Sequence, residues 1–350
     1  MLIVNISTFK STSGGLSRST LELLKFIKRH NINFKIIAPK KINEIKELEF
    51  VKDQILIKTP FSGFISILFD PIINFIISYQ DKRAVILYDG FWPVFSFCET
   101  ICTVHDLYFL KEKWNWRFIK TSVWSYYWKF SFKQILRSKT TIRAISQTTK
   151  KEIEKYVFSI SMNKPKIITF YHPNIKLNFR RKEANNDINS QQYLIHIGNI
   201  IERKNVQFLI ERCQELKEKL KLIGNNHLKI NFSKFNNVDY LGFVTEQTKQ
   251  NLLNSAQIFV IASSCEGFSF PIFESLEEGV PVLAPNISIF KEFLPQEFLY
   301  EYLDPDSFQE KLLIIKGNTS AVHSIQLNFA KNALLIDDKN ILIGLLNYLE

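Results

Sequence analysis

Two glutamates, Glu266 and Glu274, flank the nine-residue segment EGFSFPIFE, the most informative stretch of the chain. The apolar run QIFVIAS at 257–263 precedes it and predicts a buried strand. FESLEEG follows and predicts a helix that ends at Gly279. Backbone N–H groups at a strand–loop–helix junction stabilise anions such as a diphosphate, and the second carboxylate can accept hydrogen bonds from paired sugar hydroxyls. The junction therefore predicts a site for a ligand of the nucleotide-sugar type.

A basic loop follows an earlier strand. In HIGNIIERKN at 196–205, a glycine comes directly after the strand, and the basic pair Arg203 and Lys204 opens a helix. A lysine at a helix N-terminus is well placed to neutralise a diphosphate. The alternative is an exposed basic loop, which applies above all to Arg203.

Two further loops carry candidate residues. Gly14 and Gly15, in STSGGLSRS after the first strand, allow close approach of the backbone to a ligand, although a plain tight turn is the alternative. The loop lacks the G-x-G-x-x-G pattern, which argues against a dinucleotide oxidoreductase. TVHDL at 103–107 ends another strand with His105 and Asp106. A lone histidine is often structural, and Asp106 can equally well cap a loop.

Strand-like and helical runs alternate along the chain, which predicts an α/β protein with parallel sheets. A length of 350 residues suits two domains, and the polar run at 180–192 predicts an exposed connection between them. Such folds bind ligands at the carboxyl edges of their strands. Strands are predicted at 2–7, 34–39, 84–89, 101–106, 140–146 and 166–171 before the connection, and at 193–198, 219–224, 238–242, 257–263 and 281–284 after it.

The spacing of Glu266 and Glu274, with the glycines and prolines around it, resembles the Glu-x7-Glu signature of retaining glycosyltransferases of the family 4 type. The alternative is a buried strand followed by an ordinary solvated helix. The resemblance covers nearly the whole chain and implies the GT-B fold, with two doubly wound, Rossmann-like domains facing each other across a cleft. We expect an acceptor-side domain at 1–175, a nucleotide-sugar-binding domain at 190–334, and a terminal helix at 335–350 that packs back on the first domain.

The resemblance also implies roles for the matching residues. Lys204 matches the lysine that neutralises the leaving diphosphate, Glu266 is expected to orient the sugar hydroxyls, and Glu274 to hold the ribose. His105 matches a histidine near the transferred sugar. The other expected donor-binding residues are Gly14 and Gly15 in the glycine loop, Asn199 and Arg203 in the basic loop, Gly224 in the turn of the nucleotide pocket, and the backbone amides of Phe268, Ser269 and Phe270. Relatives often have an arginine at the position of Asn199, so one positive charge is missing there.

The sequence LDPDS at 303–307 invites a metal-dependent interpretation, in which two carboxylates hold a divalent ion against a diphosphate. We instead expect Asp306 or Ser307 to cap the helix that follows. Because the resembled family needs no metal, neither a metal ligand nor a cofactor is expected.

Composition indicates the compartment and the partners. The net charge of +11 suggests a polyanionic partner or an anionic membrane surface. Cys98, Cys102, Cys213 and Cys265 show neither zinc-site nor disulfide spacing, which predicts reduced thiols. MLIVNIS lacks the features of a signal peptide, and polar residues interrupt the apolar stretch at 61–79. We therefore expect a cytoplasmic protein without a transmembrane helix.

Residues 111–139 hold four of the five tryptophans and a net charge of +7. Basic residues interleaved with tryptophan and tyrosine suit an anionic membrane interface. The alternative is a first-domain helix whose aromatic residues fill the core. A nucleic-acid interface uses the same composition, but nothing else in the chain supports one, and we expect no nucleic-acid partner.

The resemblance implies a retaining, metal-independent hexosyltransferase. It would transfer mannose or another hexose from a nucleotide sugar to a hydroxyl of a lipid-linked oligosaccharide, in O-antigen, capsule or lipopolysaccharide synthesis. We expect this enzyme to act as a peripheral protein at the inner face of the cytoplasmic membrane. Two alternatives remain open: a nucleotide-sugar epimerase or phosphorylase on the same architecture, and a non-catalytic binding module on a degenerate scaffold.

Overall fold

The chain forms two compact units in the computed structural model, one within Met1–Asn174 and the other within Ile175–Leu335. The structure describes residues 1–7, 9, 15–60, 70–89, 96–111, 119–137, 140–160, 165–172, 177 and 192–334. Apart from residue 192, the predicted connection at 180–192 lies outside the described residues, and so does the helix predicted at 335–350.

The first unit is built on a seven-stranded parallel sheet with the order β3-β2-β1-β4-β5-β6-β7. Its strands are β1 (Leu2–Asn5), β2 (Phe34–Ala38), β3 (Ile55–Lys58), β4 (Val85–Tyr88), β5 (Glu99–Val104), β6 (Thr141–Ala144) and β7 (Ile167–Thr169). Both faces of the sheet are buried: Leu2 and Val4 belong to one apolar cluster, and Ile3 to another. This explains why the strands are continuously apolar rather than alternating.

Helices pack on the sheet of the first unit. They are α1 (Gly15–Arg29), α2 (Asp70–Gln80), α3 (Tyr108–Lys111), α4 (Ile119–Arg137) and α5 (Gln147–Ser159), with short 3-10 helices at Ile42–Glu44 and Lys46–Gln54. α1 buries Leu23, Leu24 and Ile27, which share one helix face because Ile27 lies four residues after Leu23 and three after Leu24. α5 begins where the side chain of Ser146 accepts a hydrogen bond from the backbone N–H of Thr149.

The second unit is a six-stranded parallel sheet with the order β10-β9-β8-β11-β12-β13. Its strands are β8 (Leu194–Ile197), β9 (Leu220–Ile223), β10 (Val238–Gly242), β11 (Ile258–Val260), β12 (Val282–Pro285) and β13 (Leu299–Tyr300). Its helices are α6 (Val206–Glu215), α7 (Glu246–Asn254), α8 (Phe270–Glu277), α9 (Ser288–Phe293), α10 (Pro305–Gly317) and α11 (Thr319–Ala333), with short 3-10 helices at Glu202–Lys204, Phe232–Lys234 and Gln296–Phe298.

The predicted α/β architecture of two doubly wound parallel sheets is confirmed. In each sheet the strand order reverses once, between β1 and β4 and between β8 and β11, and such reversal points are where open α/β sheets bind ligands. The predicted strands are all present, but β3 and β13 were not predicted. β3 alternates between exposed and half-buried residues, and β13 is only two residues long.

One predicted helix cap is wrong. Neither Asp306 nor Ser307 caps α10; the side chain of Asp304 does so, accepting hydrogen bonds from their backbone N–H groups at 3.0 and 3.1 Å. Pro305 occupies the first turn, where its missing N–H is of no consequence. The hydroxyl of Ser307 instead accepts from the backbone N–H of Glu301 at 2.9 Å.

Part of the predicted basic and aromatic segment at 111–139 forms α4, while residues 112–118 lie outside the described residues. The aromatic residues that are described divide between core and surface. Phe132 is fully buried in the first unit, whereas Tyr126 and Phe130 are 65% and 54% exposed. Within the described ranges, no helix combines the length and hydropathy that a bilayer crossing requires.

Candidate functional site

Three predicted site residues of the second unit, Arg203, Lys204 and Glu266, meet where its strand order reverses. Lys204 lies in the segment that follows β8, and Glu266 in the segment that follows β11, the neighbour of β8 in the sheet. Parallel strands end at the same edge of a sheet. The two residues therefore come together although 62 positions separate them in the chain.

Glu266 is the buried centre of this arrangement. Its Oε1 contacts Nζ of Lys204, and its Oε2 lies 3.0 Å from Nη1 of Arg203. Burial alone raises the pKa of Glu266, but the positive charges of Lys204 and Arg203 outweigh burial and lower this pKa to about 2. At neutral pH the carboxylate is ionised, so it accepts hydrogen bonds and does not serve as an acid.

Arg203 links the loop that follows β8 to the loop that follows β11 through hydrogen bonds. Its Nη1 donates to the carbonyl oxygen of Cys265 at 2.9 Å as well as to Glu266. In return, the carbonyl oxygen of Arg203 accepts from the backbone N–H of Ser264 at 2.8 Å. In this structure Arg203 holds the Glu266 loop in place, which is a different task from the phosphate contact predicted for it.

Position 224 requires a glycine because the backbone of Gly198 comes very close to it. Gly224 has a φ of +134°, and a Cβ at this position would lie 2.2 Å from the carbonyl oxygen of Gly198. The turns after β8 and β9 are thus packed directly on each other. Asn199 adds a side-chain link, because its Oδ1 accepts from the backbone N–H of Asn225 at 3.2 Å.

The N-terminus of α8 carries the predicted contacts of Phe268, Ser269 and Phe270. Ser269 has the left-handed φ of +76°, and its side chain makes no capping bond to the helix. Such a conformation is uncommon for a residue with a side chain and recurs at ligand sites. The ring of Phe268 is buried and stacks on Phe273 at 4.6 Å, so this residue can offer a ligand only its backbone.

Glu274 pairs with a lysine that the sequence interpretation did not include. Nζ of Lys249, on α7, lies 2.9 Å from Oε2 of Glu274 and 2.7 Å from Oε1 of Glu246. Glu246 and Lys249 are three residues apart on one helix, a spacing visible in the sequence. The pairing of Lys249 with Glu274 on α8 cannot be predicted from neighbouring residues, because it depends on how α7 and α8 pack.

In the first unit, His105 belongs to a buried polar cluster at the carboxyl ends of β4 to β7. Its Nε2 lies 3.2 Å from Oδ1 of Asp89, and Nη1 of Arg143 lies 3.5 Å from the same oxygen. The hydroxyl of Thr20 donates to Oδ2 of Asp89 at 2.7 Å. The ring of His172 stacks on His105 with 5.9 Å between centroids.

The charges of this cluster explain its chemistry. Burial raises the pKa of Asp89, but His105 and Arg143 hold it well below its usual range. Arg143 is fully buried, which lowers its pKa to about 10, and its guanidinium lies 4.0 Å from the ring centre of Phe170. Burial also lowers the pKa of His172 well below its usual value. Asp89 is therefore a fixed negative charge that orients the imidazole of His105.

Asp89, Arg143 and His172 were not predicted as site residues. The sequence nevertheless marks them, because each is a polar residue within or directly after an apolar strand run. Asp89 ends AVILYD, Arg143 lies within TTIRAIS, and His172 follows KIITFY. Buried charges need partners. Such residues therefore mark a buried polar cluster.

The remaining predicted residues lie apart from these contacts. Gly15 is the first residue of α1, and a Cβ there would meet nothing within 4 Å; Gly14 lies outside the described residues. Asp106 accepts from the backbone N–H of Tyr108 at 3.0 Å and so caps the turn into α3. Across the described part of the chain, no group of three or more His, Cys, Asp or Glu could hold a metal ion.

Two doubly wound parallel sheets in one chain correspond to the GT-B fold. The crystal structure of HepE from Anabaena, in complex with UDP and glucose, matches with a TM-score of 0.69 and covers 99% of this chain and 100% of that chain. The two sequences are 13% identical. At that identity, the likeness shows the fold alone.

Parts of the chain are similar in sequence to known glycosyltransferases. Residues 191–316 match the family model described as Glycosyl transferases group 1. The O-antigen biosynthesis glycosyltransferase WclY from Escherichia coli is 23% identical over 237 residues, which are 63% of this chain and 64% of that protein. The O-antigen chain mannosyltransferase B from Escherichia coli is 29% identical over 116 residues, which are 29% of this chain and 30% of that protein. The chain thus spans less than two thirds of the length of either curated relative.

Proposed function

We propose that the chain is a glycosyltransferase that moves a hexosyl group from a nucleotide sugar to an acceptor hydroxyl. The observation that carries this proposal is the convergence of Lys204, Arg203 and Glu266 at the strand-order reversal of the second sheet. Lys204 and the N-terminus of α8 supply positive charge for a diphosphate, and Glu266 supplies an ionised acceptor for sugar hydroxyls. The family match over residues 191–316 includes all of these residues and supports the proposal.

The resemblance to retaining family 4 enzymes supports front-side displacement. In this reaction the bond from the anomeric carbon to the diphosphate oxygen breaks while the acceptor oxygen bonds to the same face of the sugar. The acceptor proton passes to the departing diphosphate. On this proposal, Lys204 stabilises the charge that develops on the leaving group, Glu274 holds the ribose, and no metal ion is needed. Positioning and charge stabilisation then provide the rate enhancement.

We assign the acceptor to the first unit, where Asp89 orients His105. The similarity to two O-antigen glycosyltransferases supports a role in O-antigen synthesis. We propose that the acceptor is a lipid-linked oligosaccharide of an O-antigen, capsule or lipopolysaccharide pathway. The enzyme then acts at the inner face of the cytoplasmic membrane. The exposed Tyr126 and Phe130 of α4, together with exposed Lys133, are the described side chains that we propose to contact anionic lipid.

A thermal-shift panel tests the donor assignment. UDP-, GDP-, dTDP- and ADP-sugars are added, with and without magnesium, to the wild-type protein, Glu274→Ala and the control Glu310→Ala, which removes an exposed carboxylate on α10. At a concentration of about 100 times Kd, a bound donor stabilises the protein by about 2.7 kcal/mol, which raises Tm by roughly 5–10 °C. We expect this shift for one nucleotide, independent of magnesium, lost in Glu274→Ala and kept in the control.

The products distinguish the alternatives. A glycoside formed with retention, and turnover lowered about a hundredfold or more in Lys204→Ala, would agree with the proposal. A free epimer or a sugar phosphate would identify an epimerase or a phosphorylase instead. The absence of a shift with every donor would support a non-catalytic binding module, and a shift only with magnesium would contradict the metal-independent mechanism.

A further inference from the structure

His196 is a buried titratable residue that the proposed mechanism leaves without a role. It is the third residue of β8 and is fully buried, with its ring stacked on Phe259 at 6.4 Å and an interplanar angle of 9°. Its Nδ1 lies 2.9 Å from the carbonyl oxygen of Val260 on the neighbouring strand β11. The ring therefore has a fixed orientation beside the loops that carry Lys204 and Glu266.

The contact with Val260 also fixes the tautomer of His196. A carbonyl oxygen only accepts hydrogen bonds, so Nδ1 carries the proton and Nε2 has an unshared lone pair. Burial and the nearby charge of Lys204 lower the pKa of His196 to about 4, against opposing effects of the Val260 carbonyl and Glu266. The ring is therefore neutral at neutral pH, and Nε2 is a buried acceptor without a hydrogen-bond partner among the described residues.

This bare acceptor and the ammonium of Lys204 border the same point in space. A Cβ placed on Gly198 would lie 3.5 Å from Nε2 of His196 and 3.7 Å from Nζ of Lys204. The ammonium has three N–H donors, and Glu266 receives a bond from Nζ in the structure. If a diphosphate draws Lys204 away from Glu266, a second protein acceptor would help to fix the direction of the ammonium, and Nε2 of His196 borders the same point.

We propose that His196 is a positioning residue of the donor site, which accepts a hydrogen bond from Lys204 when Lys204 binds the diphosphate. This inference rests on the proposed function, because it assumes that Lys204 binds an anion. His196 does not touch the donor in this arrangement. It sets the direction of the lysine that does.

Two substitutions separate this role from a purely structural one. The amide of asparagine reaches the position of Nδ1, so His196→Asn keeps a donor for the Val260 carbonyl but has no acceptor toward Lys204. The longer glutamine places its amide oxygen near the position of Nε2, so His196→Gln keeps the acceptor and loses the bond to Val260. His196→Asn should therefore mainly weaken diphosphate binding, whereas His196→Gln should mainly lower the stability of the fold.

The measurement is calorimetric titration of each full-length variant with UDP and with inorganic pyrophosphate, alongside its thermal unfolding. We expect His196→Asn to unfold at a higher temperature than His196→Gln, because it keeps the bond to Val260, but to bind both ligands about tenfold more weakly than the wild type, as fits the loss of a hydrogen bond to a charged group. His196→Gln should bind within about threefold of the wild type while unfolding at a lower temperature. In a Lys204→Met background, where no ammonium remains to be positioned, the effect of His196→Asn should fall below about twofold.

Other outcomes would overturn this inference. If His196→Asn binds pyrophosphate like the wild type, or if affinity falls in step with stability in both variants, His196 is only a core residue. A tenfold loss that persists in the Lys204→Met background would show that His196 acts independently of the lysine. If the wild type itself binds neither UDP nor pyrophosphate, the proposed donor site fails and the role of His196 fails with it.

Discussion

Replacing Glu266 by glutamine should destabilise the second unit by an amount that depends on pH. The substitution keeps the shape of the side chain but removes the charge on which Lys204 and Arg203 converge. The pKa of Glu266 is lowered from 4.5 to about 2, and its side chain is only 7% exposed, so solvent screens the interaction little. At 1.36 kcal/mol per pKa unit, the carboxylate contributes about 3 kcal/mol. Removing one partner of a buried ion pair costs a similar amount, about 3–5 kcal/mol.

The sign of the pH dependence follows from the direction of the shift. A carboxyl group whose pKa is lower in the folded state contributes stability above its unfolded pKa and loses that stability as the pH falls toward the folded pKa. For Glu266 this window extends from pH 4.5 down to about pH 2. The difference between the wild type and Glu266→Gln should therefore be about 3 kcal/mol at pH 7 and about 1 kcal/mol at pH 3.

Hydrogen exchange of the β8 and β11 amides is the suitable assay. All five tryptophans fall between positions 92 and 128 of the sequence, whereas the second unit spans Ile175–Leu335, so backbone amides are the more direct probes of the second unit. Exchange should be about a hundredfold faster in Glu266→Gln at pH 7. The control Glu215→Gln removes an exposed partner of Arg212, and should change stability by at most about 0.5 kcal/mol. Equal protection of Glu266→Gln and the wild type at pH 7, or a difference that stays constant down to pH 3, would refute the reasoning.

Two further substitutions test the backbone and the first unit. Gly224→Ala should destabilise the second unit by about 3 kcal/mol or more, because the new Cβ would lie 2.2 Å from the carbonyl oxygen of Gly198. Gly317→Ala, where nothing lies within 4 Å, is the matched control, and equal protection of the two variants in hydrogen exchange would contradict the close approach. Asp89→Asn should lower the unfolding free energy of the first unit by about 3 kcal/mol or more, because Arg143 stays buried without its carboxylate. Tryptophan fluorescence during denaturant unfolding measures this loss, and adding Arg143→Met should recover most of it; no recovery would show that the ion pair is not the cause.

Glu266 and Lys204 could be predicted because a local pattern marks each of them. Each follows an apolar strand run, and the loop around each leads into a helix, which is visible in a window of about twenty residues. Their pairing could not be predicted in the same way. It requires β11 to lie beside β8, and that neighbourhood results from the reversal of strand order, which long-range packing decides.

The cluster around Asp89 depends still more on strand order. Asp89, His105, Arg143 and His172 are contributed by four successive strands or the residues just after them, so they meet only when β4 to β7 lie side by side in the sheet. A charged residue in an apolar run such as TTIRAIS indicates that a buried partner must exist. The sequence offers many carboxylates as that partner. Asp89 is the partner because it follows β4, which ends at the same edge of the parallel sheet as β6, the strand that carries Arg143.

Each sheet has a buried carboxylate directly beyond its reversal of strand order. The pKa of these carboxylates decides whether either could take a proton from an acceptor. Asp89 follows β4 and Glu266 follows β11, the strands just beyond the reversal in each sheet, and nearby cationic side chains hold both pKa values below the usual range. A carboxylate with a pKa near 2 is a poor proton acceptor at neutral pH, because a general base works best when its pKa lies near the operating pH. His196 is held neutral with a pKa of about 4 and is a weak base for the same reason. If the proposed front-side displacement holds, with the departing diphosphate taking the proton, Glu266 and His196 would fix the charge of Lys204 and accept hydrogen bonds rather than act as bases.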